Sequence, residues 1–378
     1  MHACPRYRQW PGARCCFGRA TGLGYGPGVR RAFALSLLIT ALAPGTWLRE
    51  TPPPPDWSLT LRYQALALPG RDAMAGDLGA FSLAGAWRLE SRNRLINGFS
   101  GLLWLPDGSF AGYTDRGLRF AFAPPPGGPG GSVPTTMTRT QTDTGRHAHN
   151  DSESVTATEQ AAPVWIGWEG ENRISRHDAS GRLTGQVRPS AMRGWGANLG
   201  PEAMVRLSDG RFVALSEGFI SWFGRSEHPA LLFAGDPVEH PQARAFTFAG
   251  APGFRPTDMA QLPDGRVLIL MRRVVWPVPV RFAARLVIAD PATIRPGQPW
   301  QGTVVARIGS MLPLDNFEGL AVGRRDDGRL DVWLISDGNN AALQDTVLWR
   351  LVVDPARLGA GPREKARGGA ARPVNSHP

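Results

Sequence analysis

Cysteine is nearly missing: its three residues, Cys4, Cys15 and Cys16, all precede residue 20. The rest of the chain therefore holds no disulfide framework and no thiolate metal site. Lysine is scarcer still, with Lys365 alone among 42 basic residues, so any cationic role in the body falls to arginine. No apolar run is long enough to cross a bilayer comfortably; the longest candidate covers residues 32–43. The formal net charge is +10, yet the body carries none of it. Residues 1–49 hold seven Arg and no acid, and residues 357–378 hold five basic residues and one Glu. Residues 50–356 hold 30 basic and 31 acidic side chains, which excludes a basic nucleic-acid face there. After Ala43 no stretch of about 12 residues keeps a 3.6-residue apolar period. Gly 46 and Pro 34 are scattered at turns without a collagen period.

The two ends read as processing and linker segments. Arg30-Arg31, the apolar run 32–43 and Ala41-Leu42-Ala43 form the charged region, apolar region and cleavage site of an export signal. Residues 1–29 are unusual ahead of such a signal, and Val29 is a plausible true start. The expected organisation is an N-terminal extension and signal over 1–49, a Pro-rich linker over 50–56, one domain over 57–356 and a disordered basic tail over 357–378. The mature protein is expected in the periplasm or outside a bacterial cell, monomeric, with no stable membrane insertion after cleavage.

What the body does contain is a repeat of strands. Apolar runs of four to six residues recur between Gly, Asp and Pro. Four turns share one chemistry: Asp107-Gly108, Asp209-Gly210, Asp264-Gly265 and Asp327-Gly328. Asp-Gly between apolar runs is a strong hairpin signal because both residues tolerate positive φ. A fifth copy, Asp151-Ser152-Glu153 through Trp168-Glu169, has a degenerate turn. Landmarks 100, 153, 202, 258 and 318 recur at 49 to 60 residues. Repeated small antiparallel sheets of that length predict an all-β fold, a β-propeller. Five blades are counted directly. The leftover segments near residues 57–97 and 320–357 suggest a sixth, so six blades are expected, within a range of five to seven.

The hairpin register then predicts a site. Counting outward from the turns sets Ser100 opposite Asp115, Glu202 opposite Glu217 and Glu318 opposite Asp337, with Asp258 deviating opposite Met271. Equivalent inner-strand ends of a propeller converge on one mouth of its channel. Glu153, Glu202, Asp258, Glu318 and Asp337 are the expected metal ligands. So many carboxylates together are costly unless a hard cation joins them, and Ca²⁺ suits a flexible oxygen set. Asp115 and Glu217 are candidate bases, and Arg116 and Arg272 candidate oxyanion partners. His147 and His149, in the preceding loop, are within reach of a role. Taken singly, each acid is an ordinary solvated strand end; the converging set carries the argument.

Gly98-Phe99-Ser100-Gly101-Leu102 with Thr114-Asp115-Arg116-Gly117, Gly200-Pro201-Glu202-Ala203-Met204 with Ser216-Glu217-Gly218, and Asn316-Phe317-Glu318-Gly319-Leu320 with Ser336-Asp337 resemble the phytase-like domain family. The resemblance implies a β-propeller, export, and hydrolysis of phosphate or other esters. Ser100 stands where the other copies carry an acid. The expected function is a metal-dependent ester hydrolase acting on a small, possibly anionic ester, with no nucleic-acid partner. The alternatives are a lactonase-type Ca²⁺ propeller and a non-catalytic periplasmic scaffold. No Gly-x-Ser-x-Gly elbow occurs, which argues against a serine esterase.

Overall fold

The computed structural model describes residue 36 and residues 56–68, 77–126, 130–140, 151–219, 227–275, 281–309, 316–338 and 345–359. Apart from Ser36, which is helical and exposed, the export signal lies outside the described residues, as do the cleavage site, all three Cys, His147, His149 and residues 360–378. The described residues from Asp56 onward belong to one compact unit.

The described residues form five four-stranded antiparallel units, consistent with a β-propeller. Two strands precede them, β1 (Thr60–Ala65) and β2 (Ser82–Glu90). The first unit is β3 (Phe99–Trp104), β4 (Phe110–Thr114), β5 (Leu118–Phe122) and β6 (Gly130–Arg139). The second is β7 (Ser152–Ala157), β8 (Val164–Trp168), β9 (Arg173–His177) and β10 (Leu183–Val187). The third is β11 (Pro201–Arg206), β12 (Phe212–Ser216), β13 (Glu227–Phe233) and β14 (Ala243–Ala249). In the fourth, β15 (Arg255–Gln261), β16 (Val267–Val275) and β17 (Arg281–Ala289) are followed by β18 (Pro299–Gln301), which pairs back onto β14, and by β19 (Thr303–Ile308). The fifth is β20 (Asn316–Arg324), β21 (Leu330–Asp337) and β22 (Val347–Val353), completed by β2.

The ring closes through strands from both ends of the domain, as expected, but in the fifth unit and not in a sixth. β22 supplies its third strand and β2 its outermost. β1 then pairs with both β2 and β6, lacing the outer edges of the fifth and first units. The Tyr63 hydroxyl donates to the Ala123 carbonyl at 2.7 Å, which fixes that lace. The leftover segments are thus consumed in closure.

Burial follows the same fivefold division. Five apolar clusters fill the five contacts between adjacent units. Leu286, Leu320, Val332 and Trp349 pack between the fourth and fifth units, and Phe99, Phe120, Trp333 and Ile335 between the fifth and first. Both faces of each sheet are covered, so central strands read as continuous apolar runs such as Val267-Leu268-Ile269-Leu270-Met271, all fully buried. Leu358 is buried in the same core, so packed structure runs past residue 356. The four Asp-Gly turns are formed as expected: Gly108, Gly210, Gly265 and Gly328 have φ between 78 and 91°. In each the aspartate accepts from the amide two residues on, for example Asp209 from Arg211 at 3.0 Å.

Candidate active site at the channel mouth

One local distortion repeats in all five units and builds the site. The first pair of strands in each unit slips register by one residue: between Phe99 and Gly101, Ser152 and Ser154, Pro201 and Ala203, Pro256 and Asp258, and Phe317 and Gly319. Each slip leaves one inner-strand residue without a cross-strand partner: Ser100, Glu153, Glu202, Thr257 and Glu318. A β-bulge re-aims the side chain it carries, and bulges are common beside active sites. Three of the five bulged residues are glutamates.

The turns, which centre on the Asp, and the bulges together correct the expected register. Phe99 pairs with Thr114, Pro201 with Ser216, and Asn316, not Glu318, with Asp337. They also correct the fourth landmark. Thr257, not Asp258, is equivalent to the glutamates, and with it the fourth unit no longer deviates.

Asp258 belongs to the next position along, equivalent to Gly101, Ser154, Ala203 and Gly319. Small residues prevail there because inner strands approach closely. A Cβ on Gly319 would lie 3.1 Å from the Leu102 backbone nitrogen, and one on Gly101 2.5 Å from Val155 Cγ1. Asp258, 1% exposed, uses this position to bind backbone: one oxygen accepts from the Met259 amide at 2.8 Å, the other from the Leu320 amide at 2.7 Å. Burial pushes its carboxyl well above the usual range, with the amides of Leu320, Met259 and Leu102 opposing. Its oxygens join inner strands of neighbouring units, which is a structural role and not that of a ligand in the shared site.

Glu153, Glu202 and Glu318 do converge. Burial raises each of them first, and they then raise one another. Glu153 is pushed well up by burial and by Glu202, Glu318 and Asp151. Glu202, 5% exposed, is pushed well up by burial and by Glu217 and Glu169. Glu318 is raised to about 7 by burial, with Arg272 and Asn316 opposing.

The mouth has two unlike halves. In one, Arg272 Nη2 lies 3.3 Å from Glu318 and 3.7 Å from Glu217. Asn316 Nδ2 donates to Glu318 at 2.5 Å, and Arg255 forms a close ion pair with Glu217. His228, fully buried, ties this half to the frame: its ring nitrogens lie 2.9 and 3.0 Å from the carbonyls of Gly218 and Phe254, the neighbours of Glu217 and Arg255. In the other half stand Asp151, Glu153 and Glu169, each offering an oxygen within 4.8 Å of the others. Glu169 is raised by burial and by Asp151 and Glu217, with Glu202 beside it. Acids crowded in this way are costly to ionise together, and a cation among them offsets that cost.

Of the remaining expected residues, Asp115 sits at the rim 3.6 Å from Arg116, and burial raises its carboxyl against that pairing. Arg116 is exposed. The expected ligand set did not include Asp151 and Glu169, although both flank the second hairpin, nor the contacts of Asn316, Arg255 and His228.

The family described as phytase-like, esterase-like activity of phytase, matches residues 94–340. Among curated proteins none matches. Solved structures with a similar chain course include the PQQ-bound aldose sugar dehydrogenase from Streptomyces coelicolor, 13% identical with a TM-score of 0.38, covering 68% of this chain and 95% of that one. A hypothetical protein from Leishmania major is 11% identical with a TM-score of 0.38, covering 77% and 89%. The PQQ domain of pyranose dehydrogenase from Coprinopsis cinerea is 8% identical with a TM-score of 0.37, covering 79% and 98%. With the family matched over most of the domain, the chain belongs to the phytase-like family.

Proposed function

We propose that this protein is an exported, cation-dependent hydrolase of small anionic esters, phosphate esters foremost. The observation that carries the reading is the division of the mouth into a carboxylate-only half beside a guanidinium half. Ca²⁺ takes oxygen ligands at about 2.3–2.6 Å, so the ligands of one ion lie within about 5 Å of each other. The oxygens of Asp151, Glu153 and Glu169 meet that span, and Glu202, beside Glu169, borders it. A cation bound there would supply charge to polarise the ester oxygen and acidify a water.

The chain's own groups supply the rest. Arg272 faces the same mouth and offers a planar donor fork to an oxyanion or phosphoryl oxygen. Glu318, held to about 7, is matched to take and return a proton near neutrality. Glu217 is engaged by Arg255 and Arg272, so it positions guanidinium groups more than it moves protons. Asp115 Oδ1 is buried with no hydrogen-bond partner and is the second candidate base. Among the described residues no helix is long and apolar enough to cross a membrane. Action outside the cytoplasm, as a monomer, completes the proposal.

The experiment is hydrolysis of a generic phosphomonoester and a carboxylic ester, with Ca²⁺ and with EDTA, by wild type, Glu153→Gln, Glu202→Gln and Glu159→Gln. Glu159 lies in the degenerate turn at the opposite end of its hairpin. Activity that needs Ca²⁺ and falls in the first two variants but not the third is the expected result. Lactone hydrolysis in place of both esters would move the assignment to the lactonase type. Equal behaviour of all four proteins would make the acids structural and the propeller a scaffold.

A further inference from the structure

A second charged cluster lies beside the apolar contact between the third and fourth units, on the other face of β16 from Arg272. Arg273, Arg285 and Arg307 come from β16, β17 and β19. Arg285 and Arg307 stand directly opposite each other in the β17–β19 ladder. Arg285 also stands opposite Met271, two residues from Arg273 on the same face. The guanidinium carbons of Arg273 and Arg285 lie 4.7 and 4.5 Å from the centre of one ring, Phe254. Met271, Phe254 and Phe248 belong to the apolar cluster between these two units, against which the arginines pack.

The cluster lacks an anion. Like charges directly opposite in a ladder are destabilising, and stacking on one aromatic face offsets only part of that. None of the three makes an ion pair within 4.0 Å among the described residues, whereas many other arginines of the domain do. Burial holds Arg285 below the usual guanidinium range, Arg307 and Arg273 add to this, and Asp77 opposes it. Arg273 is exposed and Arg285 and Arg307 are half-buried, so solvent reaches the cluster.

We propose that Arg273, Arg285 and Arg307 form a second binding site, separate from the channel mouth, for a phosphate-sized oxyanion: inorganic phosphate or the phosphate group of a small ester. Three guanidinium groups with one acid in reach balance a dianion, and their forks suit its oxygens. The partial burial of Arg285 and Arg307 and the near-neutral body favour a small anion over an extended polyanion. The site does not rest on the cation reading of the mouth.

The test is the melting temperature of the full chain in EDTA, against inorganic phosphate at constant ionic strength set with chloride. Wild type should rise saturably. Arg285→Gln and Arg307→Gln should each need about tenfold more phosphate for the same rise. Without phosphate both variants should melt no lower than wild type, because a like-charge contact is relieved. Glu153→Gln should keep the full response, which separates this site from the cation site. Glycerol 2-phosphate, run in parallel, distinguishes recognition of an esterified phosphate from recognition of the free ion; a response to either supports the site. No rise in wild type beyond the chloride control overturns the proposal. So does an unchanged response in both Arg285→Gln and Arg307→Gln, or a response lost only in Arg272→Gln, which would place the anion at the mouth.

Discussion

Replacing Glu318 by Gln should change how stability depends on pH, with a size that follows from its surroundings. Its side chain is 13% exposed, and burial raises its carboxyl from an ordinary 4.5 to about 7. A folded chain that holds this proton more tightly than the unfolded chain is favoured at low pH. The contribution is fully present below about 4.5, declines as pH rises, and is gone once pH passes about 7. At about 1.4 kcal/mol per pH unit, that gap amounts to about 3 kcal/mol. The amide introduced by Glu318→Gln would not titrate, and its carbonyl can still accept from Asn316. Glu153 and Glu202 titrate in the same sense in both proteins but are themselves raised by Glu318, so the difference between the proteins reports residue 318 together with that coupling. The assay is thermal unfolding in EDTA from pH 4.5 to 8.5. The variant should gain on wild type across that range by about 3 kcal/mol, or roughly 6 °C at about 2 °C per kcal/mol for a large domain. A difference that stays constant with pH would refute the claim that Glu318 is held protonated by burial.

Asp258→Asn should destabilise by about 1–3 kcal/mol, because an amide NH₂ would confront a backbone N–H that now donates to an oxygen. Ca²⁺ affinity should stay as in wild type, and a matched loss of affinity would return Asp258 to the ligand set. Gly210→Val, where φ is 88° and no atom lies within 4 Å of an added Cβ, should lower stability by about 1–3 kcal/mol through backbone strain alone. Gly319→Ala has ordinary φ but meets Ile335 and the Leu102 backbone, so it should loosen the inner ring and impair hydrolysis. Chemical denaturation of both, with activity measured on the folded fraction, separates the two mechanisms.

The turns were legible in the sequence because Asp-Gly encodes its own backbone geometry, and all four formed where expected. The propeller was legible because those turns recur at propeller spacing. The bulges were not. Counting outward from a turn assumes one residue facing one residue, and a bulge breaks that rule without changing composition. The count also centred each turn between Asp and Gly, whereas the pairing centres on the Asp itself (Leu105 with Ser109, Arg325 with Arg329), so it ran one residue off before the bulge and two beyond it, set Glu318 against Asp337, and took Asp258 for Thr257. A signal was present in the small residue that follows each bulged one, in Ser100-Gly101, Glu153-Ser154, Glu202-Ala203 and Glu318-Gly319. Asp258 broke that pattern because it fills the narrow space with a carboxylate bound to backbone. Five units in place of six follows from closure: a segment that could have made its own blade instead supplied β2 and β1. The split of the mouth was hidden because it depends on Arg272, whose partner across β15–β16 is Arg255, a neighbour no turn count reveals.

The most direct test of the cation reading is calorimetric titration of Ca²⁺ into metal-free protein at pH 6 and pH 7.5, in two buffers of different ionisation enthalpy. Glu153, Glu169 and Glu202, raised by burial and by their acidic neighbours, must give up protons to a cation, so binding should be tighter at pH 7.5 and should release protons. Glu153→Gln should weaken binding at least about tenfold, while Glu159→Gln should match wild type. No heat of Ca²⁺ binding at either pH, or the same binding in wild type and Glu153→Gln, would contradict a cation at this mouth.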